Sequence, residues 1–322
     1  MNPKTLTFHD LKQLTESENL VDVIFNKIRE IWTPSSANVN IQEHYQTAKV
    51  KIANYERLLA EPDPLNDQYG QLPSIYSIIA EKGYDCGGTV CLETQKRDDL
   101  VLIIMDGLSL REGILLEFIL KRKYQTELSY TLSVIPSDTD TFKVKVFGTS
   151  NITKLPNLVY VRDEFTYEPT EDRYTIFTRF PDALIHDARK GYTVKLSYTE
   201  IYDKTMKLLS KILSIIAGGD TKQVLVTSDH GYIDFSAGTW GLSKKEVKIF
   251  RDYFKGESFI PYQQNESLKY LENNGRIIKV RNHYIVSGRY CWKRITGNFS
   301  HRKHGGISLM ENLCPVIKII LK

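Results

Sequence analysis

Two short apolar runs, VLIIMDG at 101–107 and QVLVTSDHG at 223–231, constrain this chain more than any other feature. Each is a brief stretch of apolar or β-branched residues without polar alternation, closed by an aspartate and a glycine. That is the pattern of a strand covered on both faces, as in a parallel sheet with helices on either side. An acidic residue where such a strand turns polar stands at its carboxyl end, which is where open α/β sheets place their sites.

The surrounding pattern agrees. SLREGILLEFILKRK follows the first run directly and has helical period. SYTLSVIP, LVYVRD and YTIFTRF read as further strands. TEIYDKTMKLLSKILSIIA is an amphipathic helix with Ser197 or Thr199 near its start, and CPVIKIILK closes the chain as a strand. The expected fold is α/β, a three-layer sheet with helices on both faces. Residues 1–97 differ: LVDVIFNKIREIW and YQTAKVKIANYERLLA carry apolar positions at threes and fours, so a mostly helical N-terminal segment is expected. EPDPLNDQYGQLP, with three prolines, reads as a linker or irregular loop within it. The boundary falls at 97/98, with 98–322 as the catalytic domain and 232–300 as a cap. GRIIKVRNHYIVSGRY shows strand alternation inside that cap.

Composition sets the class. With 41% apolar and 25% charged residues the chain is that of a globular protein with a sizeable core. A net charge of +4 allows nucleic acid as a partner without arguing for it. The KRK run at 121–123 and the HRKH run at 301–304 read as solvated surface. No stretch reaches the ~18 apolar residues of a membrane span, and the first residues lack a signal-peptide pattern. Cys86, Cys91, Cys291 and Cys314 show no metal or redox spacing. Free thiols and a cytoplasmic location are expected, with no membrane partner.

The candidate site residues fall in four separated clusters: Asp106, Asp182 with His186, Asp229 with His230, and His304. A carboxylate and imidazole mixture suits Zn²⁺ or Mn²⁺ better than Mg²⁺ or Ca²⁺. Asp106 is placed to ligate a metal or to cap the helix that follows. Asp182 and His186, at i and i+4, would share a helix face. Asp229 and His230 leave a strand at Gly231, where both can converge on one ion. His304 precedes two glycines that let backbone approach an ion or phosphate, with His301 as a competing ligand. Glu311 reads as a structural group that orients a ligand. Among hydroxyls, Thr139 in VIPSDTDTF is the first choice for a nucleophile, with Ser137 and Thr141 able to replace it. Ser109 reads as a helix cap.

Taken in order, D-G-L, P-S-D-T, D-x-x-x-H, D-H-G and H-G-G-x-S-x-x-E resemble the alkaline phosphatase superfamily, and within it the PglZ domain of phage-defence systems and PorX-like response regulators. The resemblance covers roughly 98–322. It implies two divalent ions, Zn²⁺ first and Mn²⁺ second. Asp182, His186 and His304 would hold one ion; Asp106, Asp229, His230 and the Thr139 hydroxyl would hold the other. Thr139 would attack phosphorus and water would release the phosphothreonine, with retention overall. The 42 residues between Thr139 and Asp182 leave no room for a large inserted domain, and no sulfatase signature is present. The implied function is a two-metal phosphodiesterase acting on nucleotide or oligonucleotide phosphoesters. The alternatives are an interaction module with protein partners in a defence or signalling assembly, and a phosphomonoesterase. One departure is expected: TDTFKVKVFG carries β-branched and aromatic residues alternating with lysines, which predicts that the helix usual after the nucleophile is absent. Lys143 or Lys145 would then supply charge to the phosphoryl group.

Overall fold

The computed structural model describes residues 20–36, 39–60, 75–97, 99–162, 174–186, 196–219, 223–292 and 302–321. Apolar residues at three- and four-residue spacing build its helices. In α1 (Leu20–Trp32) the buried side chains are Leu20, Val21, Ile24, Phe25, Ile28 and Trp32, one face of a 3.6-residue repeat. It is followed by α2 (Ile41–Ala60), α3 (Ile75–Cys86) and α4 (Thr89–Thr94). The remaining helices are α5 (Leu110–Leu120), α6 (Thr139–Phe147), α7 (Asp182–His186), α8 (Tyr198–Ile216), α9 (Lys244–Tyr253), α10 (Glu266–Asn273) and α11 (Leu309–Asn312). Ser197, rather than Thr199, caps α8, in a capping box with Glu200.

The main sheet contains β1 (Val101–Met105), β2 (Gln125–Leu132), β3 (Leu158–Val161), β4 (Thr175–Thr178), β5 (Gln223–Thr227) and the closing strand, β11 (Leu313–Ile320). Their order is β2-β11-β5-β1-β4-β3. β1 pairs in parallel with β4 and β5, and β3 pairs in parallel with β4. β11 is antiparallel to both β2 and β5. All five residues of β1 are buried. Val101, Ile103 and Met105 join a core with α1, α2, α5 and α8. Leu102 and Ile104 join Cys91, Phe142 and Val146 of α4 and α6 on the opposite face. This is the expected three-layer α/β arrangement, and α1 and α2 belong to one of its layers.

The strand directions bring the candidate residues together. β1, β4, β5 and β2 all run out at the same edge of the sheet, and β11 enters there. The segments after four strands and before the fifth therefore meet, and they carry Asp106, Asp182, Asp229 with His230, Thr139 and His304.

The region expected as a cap has a core of its own. There β7 (Phe259–Pro261), β8 (Ile277–Val280) and β9 (His283–Val286) form an antiparallel sheet in the order β7-β9-β8. It packs with α9 and α10 around Phe250, Phe254, Leu268, Leu271, Tyr284 and Trp292. A short ladder of β6 (Ile233–Asp234) with β10 (Arg302–Lys303) joins the segments that follow Gly231 and precede His304. Among the described residues no helix is long and apolar enough to cross a membrane, and the four cysteines are free thiols.

One buried ion pair ties α2 to this edge. Glu56 is fully buried, and Arg289 is 3% exposed. The Glu56 carboxylate accepts the Leu309 N–H at 2.8 Å, pairs with Arg289 at 3.5 Å and accepts the Tyr76 hydroxyl at 3.4 Å. Arg289 also donates to the carbonyls of Asp234 and Gly238. Removing the carboxylate would strand a buried guanidinium and a backbone N–H. Glu56→Ala is therefore expected to lower unfolding free energy by about 3–5 kcal/mol, read by urea denaturation against wild type.

Candidate metal centre

Each ligand loop is shaped by a glycine. Gly107 has φ +74°, and a β-carbon there would lie 2.9 Å from Cβ of Asp182. A β-carbon on Gly231 would lie 2.0 Å from the Met310 carbonyl oxygen. D-G-L thus lets the loop after β1 close against Asp182, and D-H-G lets the loop after β5 close against the H-G-G segment. The Gly231 N–H donates to the Glu311 carbonyl at 2.8 Å, and the Gly306 N–H donates to the Glu311 carboxylate at 3.0 Å. Glu311 thereby joins the two histidine-bearing loops, the structural role expected of it. The Gly306 amide has a protein partner rather than facing an ion.

Two groups of ligand atoms result, each with all members within 4.8 Å of one another: Asp106, Asp229 and His230, and Asp182, His230 and His304. Nε2 of His230 lies 3.7 Å from Asp106 and 3.6 Å from Asp229. Nε2 of His304 lies 3.8 Å from Asp182, and the two imidazoles stack at 4.2 Å. Nδ1 of His230 faces the Gly231 carbonyl at 2.9 Å. A carbonyl only accepts, so Nδ1 carries the proton and the neutral ring turns a lone pair on Nε2 toward the carboxylates. Asp229 Oδ1 accepts from the N–H groups of Gly107 and His230, at 3.0 and 2.9 Å. Its Oδ2 is buried and accepts no hydrogen bond. An acceptor left over beside an imidazole lone pair and a second carboxylate suits a divalent cation.

The electrostatics lead to the same conclusion. Burial, then the charges of Asp229 and Asp182, hold the Asp106 carboxyl well above the usual carboxylate range. Burial alone would lower the imidazole of His230, yet Asp229 and Asp182 outweigh it and hold it above its ordinary value. Three converging carboxylates thus retain protons in the metal-free protein. The Asp182–His304 side is the open one, with side chains 20% and 24% exposed, whereas the side chains of Asp229 and His230 are inaccessible.

Of the candidate hydroxyls, Thr139 is the one at the site. Its Oγ1 lies 3.1 Å from Asp106 Oδ1 and 3.0 Å from His230 Nε2. Ser137 donates to the Gly306 carbonyl at 2.8 Å, and Thr141 donates to Asp138. Ser109 stands at the N-cap of α5 with its hydroxyl on Glu112, so Asp106 is not the cap of that helix. The helix expected to be missing after the nucleophile is present: α6 starts at Thr139, capped by Asp138, whose carboxylate accepts the N–H groups of Asp140 and Thr141. The lysine alternation misled because the buried pair is Phe142 and Val146, an i, i+4 helical spacing. The Asp in S-D-T-D was the available N-cap signal. On this helix Lys143 lies over the Phe177 ring at 5.4 Å and helps to stabilise the Asp106 carboxylate, while Lys145 donates to the Tyr84 carbonyl. Glu56 and Arg289 drew no notice in the sequence, since their contact spans 233 residues. His186 ends α7, but its side chain lies outside the described residues, as does His301.

No family model matches the chain, and no curated protein matches it in sequence. Among solved structures it is similar to murine ectonucleotide pyrophosphatase/phosphodiesterase 5, an inactive variant in complex with AMP. The TM-score is 0.40 at 11% identity, over 70% of this chain and 88% of that one. At that level of likeness the fold here is read from strand order and the site from its own distances.

Burial pushes the Glu311 carboxyl up to about 7 from an ordinary 4.5. Its folded form then holds a proton that the unfolded chain releases. The associated stability is fully present below pH 4.5 and is lost as pH rises through about 7. Glu311→Gln keeps an acceptor for Gly306 but does not titrate. Its stability relative to wild type is expected to rise by about 3 kcal/mol between pH 4.5 and 8, followed by urea unfolding of metal-free protein. Parallel curves would contradict the assignment.

Proposed function

We propose that the chain is a metal-dependent phosphoric ester hydrolase of the alkaline phosphatase type, a phosphodiesterase acting on nucleotide or oligonucleotide phosphoesters through Thr139. The observation that carries it is the Thr139 hydroxyl held between Asp106 and His230, beside Asp229, Asp182 and His304, at one edge of an α/β sheet. Asp106, Asp229 and His230 would hold one divalent ion. Asp182 and His304, with His186, would hold the other. Zn²⁺ is the first choice and Mn²⁺ the second. When bound, the ions would supply charge stabilisation to the attacking and leaving oxygens of an in-line displacement.

The chain's own residues account for the remaining steps. Thr139 Oγ1 forms a bond to phosphorus as the ester P–O bond breaks, giving a phosphothreonine and an alcohol. Asp106 Oδ1 and His230 Nε2 are the proton acceptors within hydrogen-bonding reach of that hydroxyl. Water then cleaves the phosphothreonine and returns the hydroxyl. Two inversions leave the configuration at phosphorus retained. Asp138 caps α6 with its carboxylate, which fixes Thr139 at the first helical position. Lys143, one turn further along the helix, faces the same side and offers a cation to a non-bridging oxygen. A single cation among three carboxylates matches a diester monoanion better than a monoester dianion, which favours the phosphodiesterase.

Bis-p-nitrophenyl phosphate turnover with Zn²⁺ or Mn²⁺ tests this. Wild type is expected to prefer it to p-nitrophenyl phosphate, and exclusive monoester cleavage would overturn the diesterase assignment. Asp229→Ala and His304→Ala should abolish turnover in folded protein. Thr139→Ala should reduce kcat by about 10³-fold or more. Wild-type rates in a folded Asp229→Ala variant would rule the site out. Lys143→Gln should lower kcat while leaving metal content unchanged.

A further inference from the structure

A second feature, outside the metal-ligand clusters, is an arc of exposed aromatic rings paired with cations. Tyr84 of α3 and Tyr262 after β7 are each 40% exposed, unusual for large rings in a core-forming protein. The guanidinium of Arg281 lies 4.9 Å from the Tyr84 ring centre, and the ammonium of Lys279 lies 3.7 Å from that of Tyr262. Tyr262 is fixed to the same turn, its N–H donating to the Asn282 carbonyl at 2.7 Å. Arg281 holds φ +50°, a left-handed backbone that a long side chain rarely adopts.

The arc is tied to the candidate site at both ends. On one side Lys145 of α6, the helix that begins at Thr139, donates to the Tyr84 carbonyl at 2.6 Å. On the other side Ser258, immediately before β7, donates to the His304 carbonyl at 2.8 Å. A strand of nucleic acid leaving the site along either element meets the same rings. Two carboxylates lie on the way, Asp85 near Lys145 and Glu272 against Tyr284, so phosphate contacts fall to Lys279 and Arg281. A cation on one face of a tyrosine leaves the other face for a base. Alternating rings and cations are what an unpaired strand requires, since each nucleotide presents a flat base and a charged phosphate.

We infer that Tyr84, Arg281, Lys279 and Tyr262 form a binding track for single-stranded nucleic acid that leads to the Thr139 site. This deepens the phosphodiesterase proposal by naming its substrate class, and it rests on that proposal for the chemistry but not for the binding. A duplex stacks its bases internally and could offer the track only phosphates, so single strands should bind more tightly.

The test is fluorescence anisotropy of the full chain with a labelled phosphorothioate oligothymidylate of about 12 nucleotides, within the span of known single-strand sites. A matched duplex and several salt concentrations complete the measurement. The double variant Tyr84→Ala/Tyr262→Ala should weaken single-strand binding by about tenfold or more. Arg281→Asn, which suits the left-handed backbone, should weaken it and lower the salt slope by about one. Turnover of bis-p-nitrophenyl phosphate and the melting temperature should not change in either variant. Unchanged affinity in these variants, equal binding of duplex and single strand, or no binding by wild type would each overturn the track. Track-dependent binding in a protein without bis-p-nitrophenyl phosphate turnover would sustain this inference and sink the hydrolase proposal alone.

Discussion

Three carboxylates converge where they repel one another. Asp106, Asp182 and Asp229 meet at one sheet edge with two stacked imidazoles, and burial makes their mutual repulsion expensive. Without a counter-ion the site retains protons, which is why burial and neighbouring charge raise both Asp106 and His230. A divalent cation would replace those protons and offset the repulsion. The hydroxyl of Thr139 stands inside this cluster rather than beside it, so the interaction that organises the metal ligands also positions the nucleophile.

Much of the remaining structure holds that convergence in place. Strand direction supplies the coarse placement, because four strands leave and a fifth enters at the same edge. Glycines 107 and 231 allow the loops to close to contact distance. Glu311 joins the loops that carry His230 and His304. Glu56 reaches from α2 to the backbone of Leu309 and to Arg289, so the N-terminal helices brace the loop that carries His304. The small antiparallel sheet adds a contact from the other side, through Ser258.

The strands and the ligand clusters were legible in the sequence because burial on both faces leaves unbroken apolar runs, and their polar ends mark one edge of the sheet. Asp106, Asp229 and His230 could be found in this way. The helix after Thr139 was misread because Lys143 and Lys145 imitate strand alternation, although the buried pair Phe142 and Val146 and the Asp138 cap were both present. Glu56 was not legible at all. Within ANYERLL it looks like an exposed helical position, and its partners lie more than 200 residues away. The choice among Ser137, Thr139 and Thr141 also needed three dimensions, since only the packing of Gly306 and the cap at Asp138 engage the other two hydroxyls.

The most direct test of the metal-centre account is calorimetric titration of chelator-stripped protein with Zn²⁺ and with Mn²⁺, paired with elemental analysis of the protein purified without chelator. The account predicts close to two ions per chain and proton release on binding, as the carboxyls and His230 give up their protons. It also predicts a weaker, faster-exchanging ion at the open Asp182–His304 side, and loss of the tighter ion in Asp229→Asn. No ion in the purified protein, and no binding heat above that of Asp229→Asn, would contradict it.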